Sequence, residues 1–205
     1  MDFSKARVTK VEALSSSDAK WVKIQKIQYQ DVEDKPRDWE FASRTTRVPG
    51  STCDGVAILA VLNDESPEGP RILLQKQFRP PVGKVCIEIP AGLLDADESI
   101  QTCAERELLE ETGYIGTALH HSPLMFNDPG FCNTNVILVH VAVDLEDPRN
   151  QTPKTQLEDG EFIETFTLPL KTLDKELARL VDEGYALDVR LECVATGIAL
   201  ACQYL

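Results

Sequence analysis

Between Gly92 and Gly113 four glutamates and an arginine fall at spacings that can do chemistry: Glu98, then Arg106-Glu107, then Glu110-Glu111. On a helix Glu107 and Glu111 are i, i+4 neighbours with Glu110 one position round, so several carboxylates share one flank. Like charges at that spacing repel, and the arrangement implies something positive beside it. Hard divalent cations take oxygen ligands, and Mg²⁺ in particular is held by one or two carboxylates together with substrate phosphates and water. The competing reading is a solvated acidic helix face on which Arg106 pairs locally.

The elements that would position these groups follow from periodicity. From Glu98 to Thr112, Ile100, Ala104 and Leu108 recur at i, i+4, i+8 beside Cys103, and Gly113 takes the place of a C-terminal cap, which predicts a helix. Asp95, Asp97 and Glu98 crowd its start, where negative charge suits the macrodipole. Upstream, Val22, Ile24, Ile27 and Tyr29 alternate with polar residues, Asp31 to Asp38 reads as a polar turn, and Trp39, Phe41, Ser43 and Thr45 alternate again. That is the pattern of a hairpin. Apolar runs at 56–62, 71–78 and 85–89, and further segments near 117–122, 135–143 and 162–168, predict strands. Leu173, Leu177 and Leu180, then Leu191, Val194, Ala195 and Ile198, predict two helices that close the sheet. Residues 146–160 form a long polar loop with two prolines, a feature that is functional more often than idle, against the alternative of a tolerated surface insertion.

The 205 residues carry 21 Lys+Arg against 34 Asp+Glu, a formal charge of −13, which disfavours nucleic-acid and anionic-membrane partners. No linker splits the chain, so the expectation is one domain at 51–205 behind an N-terminal extension at 1–50. The start lacks an apolar targeting segment, and the longest weakly polar stretch, Cys193 to Cys202, is too short to span a bilayer. Six cysteines without CxxC spacing predict reduced thiols in a cytoplasmic or nuclear setting.

Gly92, Glu98, Arg106, Glu107, Leu108, Glu110, Glu111 and Gly113 match every fixed position of the Nudix box, Gly-x5-Glu-x7-Arg-Glu-U-x-Glu-Glu-x-Gly-U, with Tyr114 in place of an aliphatic residue at the end. Further stretches resemble the ADP-sugar pyrophosphatase branch of that family: Trp39-Glu40, Arg44-Thr-Thr-Arg47, Gln77-Phe78-Arg79, Ile87-Glu88-Ile89-Pro90-Ala91-Gly92, Asp128-Pro129-Gly130 and Asp159-Gly160-Glu161. The resemblance implies an α/β fold, an α/β/α sandwich around a mixed sheet, with a small N-terminal antiparallel β extension used for dimerisation. It implies two or more Mg²⁺ ions, with Mn²⁺ the other candidate, held by the Ala91 carbonyl, Glu107, Glu111, Glu110 and Glu161. Glu107, Glu111 and Glu161 are the catalytic candidates, Glu161 as a general base arriving on the long loop.

Structural tasks in the box fall to Gly92, Glu98, Arg106 and Gly113. Matching tryptophans in the branch stack on adenine, one from each subunit of a homodimer, which singles out Trp21 and Trp39; by themselves they read as packing aromatics. Arg44 and Arg79 match positions for phosphate or terminal ribose, with surface salt bridges as the alternative. Glu40, Leu93, Asp128 and Phe131 complete the substrate-binding candidates. Glu88 reads equally as a carboxylate near the metals or as a strand residue bonded to the box loop. The implied reaction is hydrolysis of ADP-ribose to AMP and ribose 5-phosphate. Another ADP-sugar or an oxidised nucleotide is the alternative substrate, and a non-catalytic ADP-ribose sensor the third reading, disfavoured because every box carboxylate is present.

Overall fold

A computed structural model describes residues 1–64 and 66–205. The hairpin consists of β1 (Val22–Gln30) and β2 (Pro36–Arg44), paired antiparallel from Val22↔Arg44 to Gln30↔Pro36. The turn between them is shorter than Asp31 to Asp38, because Pro36 opens β2. A proline is tolerated at the first residue of an edge strand, where no ladder donor is needed. This two-stranded sheet stands apart from the main one, and every residue of β1 is exposed.

The main sheet is built from β3 (Gly55–Leu62), β4 (Arg71–Arg79), β5 (Lys84–Glu88), β6 (Ala91–Leu93), β7 (Thr117–His121), β8 (Met125–Phe126), β9 (Asn135–Val143), β10 (Ile163–Pro169) and β11 (Ala186–Leu187). Its order is β11-β5-β4-β3-β9-β7, with β10 on β4, β6 on β3 and β8 on β9. The β3–β9 and β5–β11 pairs are parallel and the others antiparallel, so the sheet is mixed.

Three helices cover it: α1 (Ile100–Thr112), α2 (Leu173–Asp182) and α3 (Val189–Tyr204). Val56, Ile58, Ala60 and Leu62 of β3 pack toward Cys103, Ala104 and Leu108 of α1, while Ala57 joins Leu74 and Ile87 against Leu177 and Leu180 of α2 and Leu191 of α3. Period-two alternation sends successive residues to opposite faces, and because both faces are covered the strand reads as an unbroken apolar run. The result is the α/β/α sandwich with a hairpin extension. No helix among the described residues is long and apolar enough to cross a membrane.

Helix α1 begins two residues later than the periodicity predicts. Ser99 is its N-cap, with the side chain accepting from the Thr102 N–H at 3.1 Å, so Glu98 lies outside the helix. At its end Gly113 has φ 76°, and a Cβ there would fall 2.2 Å from the Lys154 backbone nitrogen, so both conformation and space demand glycine.

The expected long loop at 146–160 is present, with a single helical turn at Pro148–Asn150, and it is tied down along part of its length. Buried Asn150 bonds Ile115 N–H and C=O and the Asp144 carbonyl, and the Gln156 N–H donates to the Glu110 carbonyl at 2.7 Å. Its first part is thereby tied to the end of α1 and the residues just after it. Periodicity could not show this, because the bonds run from single polar side chains to distant backbone.

Arg47 joins the segment after the hairpin to the sheet. Its Nε and Nη2 meet Asp54 Oδ1 and Oδ2 at 2.8 and 2.7 Å, and Nη2 also donates to the Asn133 carbonyl at 2.8 Å. Burial works against the Asp54 charge, but the Arg47 guanidinium and the Asn135 N–H outweigh it and hold the carboxyl below its ordinary value. A depressed carboxyl contributes stability above its unfolded pKa of about 3.9, and that contribution is lost as pH falls through the lower folded value. Arg47→Ala is expected to lower unfolding free energy at pH 7 by about 3 kcal/mol, because it strands a buried carboxylate. Urea melts check this, and the deficit against wild type should shrink below pH of about 4.

Candidate active site

The box loop and helix meet at a contact only glycine allows. A Cβ on Gly92 would lie 1.8 Å from Cδ of Glu107, so the bare backbone of Gly92 is what gives the Glu107 carboxylate its place against β6. Arg106 then ties loop to helix. Its Nε and Nη2 each reach Glu98 at 2.9 Å, Nη2 donates to the Leu93 carbonyl at 3.1 Å, and Nη1 meets Glu107 at 2.8 Å and Glu110 at 3.0 Å.

Arg106 therefore does pair locally, as the alternative reading had it, but only Glu110 of the three helix carboxylates is open to solvent, its side chain 41% exposed. The Glu107 side chain is 14% exposed and Glu111 is 4% exposed. Burial pushes the Glu111 carboxyl up to about 8, with the charges of Glu107 and Glu161 adding to the effect and the Ala91 N–H, at 3.0 Å from Oε2, opposing it. Burial likewise raises Glu107, with Arg106 opposing and Glu110 and Glu161 adding. The charge of Glu161, two residues before β10 begins, bears on both box carboxylates, and its Oε2 accepts from the Glu158 N–H at 3.3 Å.

Such a concentration of buried, mutually repelling oxygen ligands fits a hard divalent cation. Among the described residues no three His, Cys, Asp or Glu side chains close on one point as a finished cage. Arg106 draws Glu107 and Glu110 to itself and Ala91 engages Glu111, so binding would require these carboxylates to turn.

Beside the box loop lies a cleft of about 240 Å³ bordered by Arg44, Arg79, Ala91, Leu93, Asn127 and Arg190. Arg79 is clamped on Glu88, Nε to Oε1 at 2.8 Å and Nη2 to Oε2 at 2.5 Å. This corrects one reading of Glu88: its hydrogen bonds hold an arginine of the cleft, not the box loop.

Arg190 was not singled out from the sequence. It sits in the first turn of α3, held by its N-cap Asp188 through Nε at 2.8 Å and Nη2 at 2.5 Å. Asp188-Val-Arg190 carries a helix-start signal, but only the docking of α3 brings that arginine to the cleft. In both clamped arginines the carboxylate takes the Nε–Nη2 edge and leaves Nη1 without a bond to it, a fixed donor suited to phosphate or hydroxyl oxygens.

The remaining substrate candidates lie on and near the hairpin. Trp39, 50% exposed, donates from Nε1 to the Gly130 carbonyl at 3.1 Å, and the Ala42 N–H donates to the Phe131 carbonyl at 2.9 Å, so β2 carries the segment of Asp128 and Phe131. Trp21, 70% exposed, stands at the hairpin base, where its carbonyl accepts from Thr45, and Glu40 projects from β2 opposite Lys26. Trp21, Trp39, Glu40, Asp128 and Phe131 all lie outside the lining of the cleft within one chain, which takes in Arg44, Arg79, Ala91 and Leu93 of the candidates.

A mixed sheet between helices, with a carboxylate-bearing loop and helix beside an arginine-lined cleft, defines a Nudix hydrolase. The NUDIX domain model matches residues 52–187, and the chain belongs to the Nudix family. It is 54% identical over 189 residues to the ADP-ribose pyrophosphatase of Saccharomyces cerevisiae, covering 92% of this chain and 81% of that one. It is 47% identical to an uncharacterized Nudix hydrolase of Schizosaccharomyces pombe over 98% of this chain and 97% of the relative. With the mouse ADP-sugar pyrophosphatase it shares 40% identity over 90% of this chain and 83% of the relative. The protein is therefore an enzyme, a hydrolase of the branch that the sequence resembles, and divalent metals are what such hydrolases use.

Proposed function

We propose that the protein hydrolyses the pyrophosphate bond of ADP-ribose, giving AMP and ribose 5-phosphate, with Mg²⁺ as the working cation and Mn²⁺ able to replace it. The observation that supports this reading is the burial of the Glu107 and Glu111 carboxylates against the box loop, where the charge of Glu161 reaches both, next to a cleft with three arginines. The names of the budding-yeast and mouse relatives support the substrate class.

Glu107, Glu111, Glu110 and the Ala91 carbonyl would hold the metal. When bound, two or more divalent cations neutralise the diphosphate and make the attacking water more acidic. The chain does the rest. Glu161 takes the proton as the water oxygen bonds to phosphorus and the bridging P–O bond breaks. Arg44 and Arg79 hold diphosphate or ribose oxygens, and Glu98 and Arg106 keep loop and helix in register. Leu93 borders the cleft, and Asp128, Phe131 and Glu40 would meet the part of the substrate that extends beyond it toward the hairpin.

The exposed hairpin supports a homodimer. A lone two-stranded sheet is marginal in water, and Trp21, Ile24, Ile27, Tyr29 and Trp39 leave it with an uncovered apolar surface. Pairing residues 1–50 of two chains around the 51–205 domains would bring a partner's tryptophan to each adenine. The six free thiols support a cytoplasmic or nuclear setting.

Incubation of the purified protein with ADP-ribose, ADP-glucose and an oxidised nucleotide, each with Mg²⁺, tests the substrate, since a preference for either of the others would displace ADP-ribose. Trp39→Ala is expected to raise KM for ADP-ribose by about tenfold or more, the loss of one stacking platform. Light scattering on the wild type should give twice the chain mass of 22.8 kDa.

A further inference from the structure

Gln75 is the polar exception among the largest fully buried side chains of the sheet. It is 0% exposed on β4, opposite Glu88 of β5 and Thr165 of β10, and neither Oε1 nor Nε2 has a hydrogen-bond partner. Buried polar atoms left unbonded are costly and few, and a side chain with both amide atoms in that state calls for a reason. A leucine would fill the position without unpaired atoms.

The reason lies next to it. Leu73, two residues earlier on the same face of β4, packs with Leu108 of α1, so the Gln75 amide faces that helix one turn further on, where Glu111 is buried. No hydrogen bond between the two is closed, and the amide favours the charged form of the Glu111 carboxyl. Glu111 meanwhile spends Oε2 on the Ala91 N–H, whose own carbonyl is a candidate metal ligand. If Glu111 turns toward a cation, its carboxylate must give up or share that bond. The donor already buried beside it, with nothing else to bond, is Nε2 of Gln75.

We propose that Gln75 is a positioning residue of the metal site, its amide hydrogen-bonding the Glu111 carboxylate from the sheet side and fixing that carboxylate's direction toward a divalent cation. The proposal rests on the reading of Glu111 as a metal ligand. It is independent of which nucleotide is cleaved. Groups that orient a ligand in this way change metal affinity by about 10–100-fold when removed.

Gln75→Leu has consequences of opposite sign in two measurements. Metal-free, the variant should unfold in urea at the wild-type midpoint or above it, because two unpaired buried atoms are gone. Titrated with Mn²⁺ alone and followed by paramagnetic resonance, it should bind about 10–100-fold more weakly than wild type. Gln75→Met, similar in length and apolar, should repeat both results and stands in if the leucine variant does not fold.

Mn²⁺ affinity within twofold of wild type in a folded variant would overturn the proposal. So would a loss of affinity that only accompanies a lowered unfolding midpoint in both variants, which is the mark of general damage. If wild-type protein binds Mn²⁺ but leaves ADP-ribose uncleaved, the substrate reading fails and this one stands. If wild type binds no Mn²⁺, the metal site fails and this proposal with it.

Discussion

Glu107→Gln is expected to lower kcat for ADP-ribose by about 10²–10³-fold, the effect of removing one preorganised electrostatic stabiliser of the transition state. The substitution is nearly isosteric, so the amide still fits against Gly92, where no side chain other than hydrogen is admitted. Its oxygen can still accept from Arg106 Nη1, the bond now made by Oε1 at 2.8 Å. What disappears is a negative charge in a place where burial already disfavours charge. Stability should therefore hold or rise while turnover collapses. Urea melts beside steady-state kinetics check both halves. An inactive variant that is also unfolded would show only that the box helix had been damaged.

Glu161→Gln is expected to cost about 10²–10⁴-fold in kcat, the contribution of a general base, with KM changed little. Its carbonyl oxygen can keep the 3.3 Å bond from the Glu158 N–H, so the turn before β10 survives. Asn150 and Gln156 tether the earlier part of the loop, so ordering it around the substrate costs less entropy than an untethered loop of the same length would require. Pre-steady-state measurement of the chemical step should locate the loss there and not in product release.

The parts of this fold legible in the sequence are those written locally. The apolar run at 56–62 and the stripe Ile100-Ala104-Leu108 gave β3 and α1 through their periods, and Gly113 marked the helix end. Strands β6 and β8 were invisible because two or three residues carry no period, even though β6 is the strand that supports the metal-binding candidates. The box was legible as a resemblance, since its spacing is fixed, but the internal bonding of the box was not. That Arg106 grips Glu98 and Glu107 together, and that Glu111 is buried, depend on how β3, β6 and α1 stack.

Partners distant in sequence were the least readable. Arg79 reaches Glu88 on the neighbouring strand although Lys84 is its register partner, Arg190 reaches the cleft from the C-terminal helix, and Gln75 looks like any polar residue in a half-buried strand until the sheet closes over it. Trp21 and Glu40 show the opposite limit. Their roles came from resemblance, and one chain leaves them, with Trp39, Asp128 and Phe131, outside its own cleft.

The most direct measurement is mass spectrometry of the products formed from ADP-ribose and Mg²⁺ in ¹⁸O-labelled water. The expected result is AMP and ribose 5-phosphate in equal amounts, with one labelled oxygen in one of the two, which also identifies the phosphorus attacked. Intact ADP-ribose after incubation with folded, metal-loaded protein, or label found in products that do not include AMP, would contradict hydrolysis of its pyrophosphate bond.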